Sequence, residues 1–272
     1  MPYPGPRGEA GAPLITAVCN QKGGVGKTTT VANLGVALGE LGQRVLLLDF
    51  DPQGSLTISL GLNPSDLSGV TVYEAVVLSP SDPHHHPLPE VIRRTPYGVD
   101  LAPADIDLAA AEIDLASQIS RELALARALR VLAGRYDHIL IDTPPSLGLL
   151  TLNALAAADR VLIPLATNFL STKGVEALLR TVHLVQERLN PELQVAGILA
   201  TMHEGHKLHH AEVLEATRRS FAGHVPVFDA VIKRSVRFEE APVDGVPAVL
   251  YARDVDGAKA YRALAREVLE LA

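Results

Sequence analysis

The chain has 272 residues, 47% of them hydrophobic, a formal net charge of −7 and a single cysteine, Cys19. A chain of this length can bury roughly three quarters of its unfolded surface, and one cysteine excludes an internal disulfide framework and an all-cysteine zinc or iron–sulfur site within one copy. The acidic balance argues against a nucleic-acid partner on bulk charge alone, and no apolar run reaches the ~20 residues that cross a bilayer.

Residues 1–13 are rich in Pro and Gly and lack an apolar core, so they are expected to be a disordered tail, neither signal peptide nor anchor. Residues 14–272 are expected to form a single domain, and the cysteine count fits a reducing cytosol. Residues 14–19 read as a buried strand, and 28–41 as a helix with Val31, Leu34, Leu38 and Leu41 on one side. A second strand over 44–48 ends at Asp49. Residues 106–133 read as largely helical and Ala-rich. A third strand over 138–141 ends at Asp142, followed by a helix over 147–157 and a strand over 160–164. A helix over 174–189 is closed by Asn190-Pro191, a strand follows over 194–201, and helices follow over 208–221 and 254–271. Strands alternating with helices predict an α/β fold, a doubly wound, mostly parallel sheet flanked by helices. Ligands of such sheets bind at the carboxyl ends of the strands. Those ends carry a Gly-rich loop, Asp49, Asp51 and Asp142.

The loop runs Gln21-Lys22-Gly23-Gly24-Val25-Gly26-Lys27-Thr28-Thr29 between a strand and a helix. Its glycines let backbone N–H groups turn inward around phosphate oxygens, and the helix N-terminus adds positive potential. Lys27 can reach β- and γ-phosphates and the Thr28 hydroxyl can bind Mg²⁺. The pattern G-x-x-x-x-G-K-[ST] is met except at its first glycine, which is Gln21, and a second lysine, Lys22, stands early in the loop. From the residues alone, Lys22 is equally a solvated lysine at a loop edge. Asp49 and Asp51, two apart, share one side if the strand continues.

These segments carry a resemblance. Residues Lys22 to Thr29 resemble the deviant Walker A motif of the ParA/MinD ATPases, and Leu46-Leu47-Leu48-Asp49-Phe50-Asp51-Pro52-Gln53-Gly54 resembles the next motif of the ParA/Soj branch. Ile139-Leu140-Ile141-Asp142-Thr143-Pro144-Pro145-Ser146 resembles its Walker B segment, and Val236-Arg237-Phe238-Glu239-Glu240-Ala241-Pro242 its V-R-x-x-E-A-P segment. The resemblance implies a P-loop ATPase that binds ATP and Mg²⁺. Residues 22–29 would hold the phosphates, with Lys22 reaching across a dimer to the partner's nucleotide. Thr28, Asp49 and Asp142 would serve Mg²⁺, Asp142 through water, with support of the loop as the other role open to Asp49, and Asp51 would position the attacking water. Lys22, Lys27 and Asp51 are thus the candidate catalytic residues. Val231 to Arg234, with Lys233 and Arg234 as the named contacts, would lie near adenine, with Asn168 and Phe169 approaching it.

The resemblance further implies an ATP-bound homodimer that binds double-stranded DNA without sequence preference. Hydrolysis would be weak until stimulated by a ParB-type protein, partitioning a chromosome or plasmid, in a cytoplasmic, nucleoid-associated setting with no membrane. Arg218, Arg219, Lys233 and Arg237 are the candidate DNA contacts; from Arg218 to Arg237 five bases stand against one acid, Asp229. Non-specific binding needs only phosphate contacts. Ala252-Arg253-Asp254-Val255-Asp256 is more acidic than this branch carries there.

Three other readings compete. A MinD-like membrane-switching ATPase in division-site placement would need a C-terminal amphipathic helix, but residues 261–272 have few bulky apolar side chains and read as a packing helix. An iron–sulfur carrier would need axial cysteines, and a ligase a small-molecule pocket. His84-His85-His86 are expected in a solvated loop. His203, His206, His209 and His210 are expected on a polar face, and Cys19 in the core.

Overall fold

The computed structural model describes residues 11–67, 70–77, 87–167, 172–204 and 208–271. Eight strands form one sheet in the order β3-β4-β2-β5-β1-β6-β7-β8. They are β1 (Leu14–Val18), β2 (Val45–Asp49), β3 (Arg93–Arg94), β4 (Asp100–Ala102), β5 (His138–Asp142), β6 (Arg160–Ala166), β7 (Gln194–His203) and β8 (Val227–Lys233). All neighbours are parallel except β3 and β4. The expected mostly parallel, doubly wound α/β sheet is therefore what forms.

Both faces of the sheet are covered, because alternate residues of each strand point to opposite sides. Leu46 and Leu48 of β2 join Ile139 and Ile141 of β5 in one core, with α3 (Val72–Val77), α4 (Leu149–Ala157) and α5 (Thr172–Arg188) over it. Val45 and Leu47 join Leu140 in the other, under α1 (Lys27–Glu40) and α7 (Asp256–Glu270). Helix α1 lies close on the sheet at Gly35, where an added Cβ would stand 2.3 Å from Leu47 Cδ2. Helix α7 buries Tyr261, Leu264, Ala265 and Val268, so the expected packing role of this segment holds. The remaining long helix, α6 (Leu208–Phe221), precedes β8, and the short α2 (Ser55–Ser59) follows β2.

Three features depart from the sequence expectation. The stretch 106–133 is a chain of short 3₁₀ and α turns rather than a largely continuous helix. It breaks at Gln118, which is extended, and at Ser120, whose φ is +55°. The buried Asn153 of α4 sustains the break: its Oδ1 accepts the Leu125 amide at 3.1 Å and its Nδ2 donates to Arg121 O at 3.0 Å. Backbone groups that a continuous helix would pair internally are satisfied there by a side chain. Next, β3 and β4 form an unforeseen antiparallel edge pair. Last, β8 closes the other edge, where Phe228, Ala230 and Ile232 alternate inward. Its outer amides at Asp229 and Ala230 donate to the Glu267 carboxylate of α7, each at 2.9 Å, which covers part of an edge otherwise open to pairing.

His138, at the start of β5, is buried and its Nδ1 lacks a partner. Burial pulls its pKa below the usual 6.5. The unfolded chain therefore takes up the proton first, so the stability tied to neutral His138 is present above that pH and lost as pH falls through it. His138→Leu is expected to keep a larger share of its thermal stability between about pH 7 and pH 5 than the natural chain. Superimposable melting-temperature profiles would remove His138 as an acid-sensitive group.

Candidate functional site

The segment between β1 and α1 wraps a cleft of about 460 Å³, lined by Gly23, Gly24, Gly26, Lys27, Thr28 and Thr29 from the loop and by Asp51, Ser55, Pro145, Met202 and Pro242 from elsewhere. Gly24 and Gly26 adopt φ of +72° and +85°, conformations that side chains oppose, and Gly26 is the N-cap of α1. The first-turn amides of α1 thereby face the cleft and form an anion cradle.

Three buried polar side chains around the loop hold it. Asn20 Nδ2 donates to Pro164 O at 2.6 Å while its Oδ1 accepts the Lys22 amide at 3.0 Å. Thr201 of β7 donates its hydroxyl to Val25 O at 2.8 Å. Asn33 of α1 donates to Thr29 O at 2.8 Å and accepts the Val249 amide at 2.7 Å. None of these three residues was among the sequence candidates. Their signal is weak, because a buried Asn or Thr looks alike whether it holds a functional loop or a turn.

Lys27 is buried, with its Nζ 3.5 Å from Lys22 O, and burial is the main pull lowering its pKa against the attraction of Asp142 and Asp51. Thr28 donates to Asp142 Oδ2 at 2.6 Å, and Asp142 Oδ1 is buried without a partner. An orphaned carboxylate oxygen, on a side chain bonded to the cleft-lining Thr28 hydroxyl, suits a hard divalent cation completed by water and phosphate oxygens. Among the described residues no group of three or more His, Cys, Asp or Glu forms a metal site by itself.

Of its two expected roles, Asp49 fits support of the loop rather than a metal contact. It stands level with Asp142 on the neighbouring strand, but both of its oxygens are engaged inside the protein: Oδ1 accepts the Asp51 amide at 3.3 Å, and Oδ2 accepts the amide and hydroxyl of Thr57 at 2.8 and 2.7 Å. A carboxylate so occupied is a structural group, which leaves Asp142 with Thr28 as the pair able to face a metal. Burial pushes Asp49 up to about 7 against the Thr57 hydrogen bonds, and burial together with Asp49 raises Asp142 well above the usual carboxylate range.

A second cleft, of about 160 Å³, adjoins the first across Gly26, Thr29 and Met202 and is lined by Ile232, Lys233, Arg234, Ser235, Phe238 and Tyr261. The expected base-side residues Lys233 and Arg234 thus meet the loop, while Asn168 and Phe169 lie outside the described residues. Met202 has φ +52°, a strained value at the junction of the two clefts.

The candidate DNA contacts are less basic than their run suggests. Arg218 pairs with Glu215 at 3.1 Å, Lys233 with Asp256 at 2.8 Å and Arg237 with Glu240 at 2.9 Å, while Arg219 is exposed. The excess of bases along this stretch is offset by acids from outside it. The histidine expectation also changes. His210 is buried, accepts the Glu204 amide at 3.1 Å and shares Thr167 with His203, so it is an interior group rather than part of a polar face. His84–His86, His206 and Lys207 lie outside the described residues. Cys19 is a buried free thiol pushed up to about 12 by burial.

Residues 14–195 match the model of an AAA domain family. The chain is 44% identical to the sporulation initiation inhibitor protein Soj of Bacillus subtilis, over 93% of this chain and 97% of that one. It is 43% identical to the chromosome partitioning protein ParA of Myxococcus xanthus, over 98% and 91%. Among solved structures, cobyrinic acid a,c-diamide synthase from Mycobacterium smegmatis with bound ATP analog and magnesium superposes with a TM-score of 0.81 at 42% identity, over 95% of each chain.

The paired carboxylates have a measurable consequence. A raised carboxyl pKa means that the folded chain holds its proton more tightly than the unfolded one, so the pair costs stability increasingly as pH rises from the usual range through about 7. Asp142→Asn is expected to melt higher than the natural chain without ligand, by on the order of 1 kcal/mol, with a larger gain at about pH 8 than at pH 5. The same variant should lose most of the stabilisation that Mg²⁺ with ATP gives the natural chain. A variant that melts lower at every pH, or that keeps the full ligand increment, would contradict this account of the pair.

Proposed function

The chain belongs to the ParA/MinD family of P-loop ATPases, and from that premise we propose that it is a DNA-segregation ATPase whose ATP-bound homodimer grips DNA. The observation that carries this reading is the loop 22–29, with its extra lysine, whose cleft-lining Thr28 bonds to Asp142 beneath it. It acts as one ATPase domain over residues 14–272.

ATP binds with its phosphates in the cradle of residues 22–29 and its base in the second cleft beside Lys233 and Arg234. Thr28 and Asp142 are the side chains that would hold Mg²⁺, which would supply neutralisation of phosphate charge. Lys27 adds fixed charge at the transferred group, and Lys22 supplies a mobile charge to the nucleotide of the opposing subunit. Asp51, at the cleft wall, orients the attacking water. Positioning and charge neutralisation carry the reaction, without a covalent intermediate. Turnover is weak until a ParB-type protein assists.

DNA binding falls to Arg219 with Arg218, Lys233 and Arg237. Their ion pairs do not forbid it, because exposed pairs are worth about 0–1 kcal/mol and exchange readily for phosphate. The relatives named for partition support this reading. The competing one, a membrane switch, needs an unburied apolar helix face, and α7 spends its apolar side on the core. No helix among the described residues is long and apolar enough to cross a membrane.

Co-sedimentation with DNA in the absence of nucleotide and with ADP, ATP or a slowly hydrolysed analogue tests the proposal. Binding is expected with ATP and the analogue only, and it should weaken steeply with salt. Lys27→Ala should abolish nucleotide-dependent binding, and Lys22→Ala should leave ATP bound to a monomer. Asp51→Ala should keep ATP-dependent DNA binding while turnover drops by about tenfold or more. DNA binding that is indifferent to nucleotide, or normal turnover in Asp51→Ala, would refute the corresponding assignment.

A further inference from the structure

Two aspartates end β2, but they face different tasks. Asp51 lines the phosphate cleft, whereas Asp49 is sealed beneath it. What Asp49 touches is Thr57, on α2. This threonine is fully buried. Its hydroxyl donates to Asp49 Oδ2 at 2.7 Å and accepts the Ala104 amide, just past β4, at 3.1 Å. A hydroxyl has one proton and two lone pairs, so this single oxygen joins the exit of β2, the helix α2 and the exit of β4. The Thr57 amide adds a second bond to the same Asp49 oxygen.

The consequence reaches the cleft in two ways. With Oδ2 held twice by Thr57, Asp49 presents Oδ1 to the Asp51 amide, and Asp51 in turn accepts the Gln53 amide at 3.0 Å. The backbone carrying the Asp51 carboxylate is thus oriented from beneath. Ser55, Ile58 and Ser59, on the same short helix as Thr57, line the cleft directly. The phosphate cradle has separate supports in Asn20, Thr201 and Asn33.

We propose that Thr57 is a positioning residue for hydrolysis: its hydroxyl locks Asp49, and through Asp49 the Asp51 segment, in the arrangement that places water against the terminal phosphate. The inference rests on the water-positioning role proposed above for Asp51. Because the cradle is held independently, loss of the Thr57 hydroxyl slows the chemical step and spares ATP binding. A plain packing role would lower stability without that separation.

The test compares Thr57→Val, which keeps the shape and removes the hydroxyl, with Thr57→Ser, which keeps the hydroxyl; Thr57→Ala replaces the valine variant if that fails to fold. Val76→Ala, a buried truncation on α3 away from the cleft, controls for stability loss alone. Magnesium-dependent ATP affinity, kcat, KM and the thermal midpoint are measured for each. Thr57→Val is expected to bind ATP within about twofold of the natural chain with kcat down by about tenfold, and Thr57→Ser to recover kcat to within about threefold. Val76→Ala should melt lower with unchanged kcat. Natural kcat in Thr57→Val, a serine variant as slow as the valine one, a loss carried by KM, or equal slowing in Val76→Ala would each overturn the proposal. A natural chain that binds ATP and never turns it over would remove the ATPase reading and Thr57's role together, whereas natural turnover with an unaffected Thr57→Val removes only the latter.

Discussion

The side-by-side burial of Asp49 and Asp142 at the ends of adjacent strands is the constraint around which the rest is arranged. Water is excluded there, so each charge is costly alone and costlier beside the other. The protein answers the two costs differently. Asp49 is enclosed by three donors and becomes part of the framework. Asp142 receives one donor, Thr28, and keeps an oxygen with no partner. An apolar or fully paired pair of side chains would stabilise the sheet more, so the strain marks a place where stability yields to binding. A cation held at that oxygen converts the least favourable point of the ligand-free fold into a favourable one, which gives the fold a built-in response to ligand.

That response is not confined to the loop, because the loop is not self-supporting. Asn20 ties it to β6, Thr201 to β7 and Asn33 to the turn around Val249, while Asp49 and Thr57 tie the opposite wall to β4. Each tie is a buried hydrogen bond to backbone, worth about 1 kcal/mol when made and more when broken without replacement. A displacement of the loop therefore has to be shared with strands on both sides of β1. Glu112 extends the chain of contact, its Oε1 3.4 Å from the Leu150 amide at the start of α4, behind the Pro144-Pro145 turn of the cleft. Beside Glu112 the segment 105–119 exposes Ile106, Ile113 and Ile119 among acidic side chains.

Much of this was legible in the sequence because the central elements obey simple periodicities. The strands ending at Asp49 and Asp142 are continuous apolar runs, as parallel strands buried on both faces must be. The glycines and lysines of residues 22–29 declare the cradle directly. What stayed hidden has identifiable physical causes. The stretch 106–133 has helical composition, and only the remote Asn153 side chain makes its breaks affordable. β8 runs Val227-Phe228-Asp229-Ala230 after the Gly223 turn, a half-buried edge pattern whose Asp229 interrupts the apolar run. The two roles open to Asp49 could not be separated by spacing, which does not tell which of two nearby carboxylates turns outward; the donors at Thr57, eight residues on, favour support of the loop. The basic run from Arg218 to Arg237 looked stronger than it is because Glu215 and Glu240 flank it and Asp256 reaches Lys233 from the start of α7.

That last pairing bears on why a dimer would matter for DNA. Affinity for a polyanion grows with the number of phosphates contacted, since each contact releases counterions, and log affinity falls with log salt at about 0.9 per contact on duplex DNA. One copy offers a few arginines and lysines, most of them already sharing their charge with a neighbouring acid, on a chain of net charge −7. Such a surface gains little from a single encounter, because desolvating each pair and repelling the bulk charge offset a handful of contacts. Two copies fixed side by side double the contacts while losing translational freedom only once, so the second set acts at high effective concentration. On the proposed reading, weak, paired cations would then be an advantage: they would leave a single copy with little grip and let assembly, rather than charge alone, decide when DNA is held.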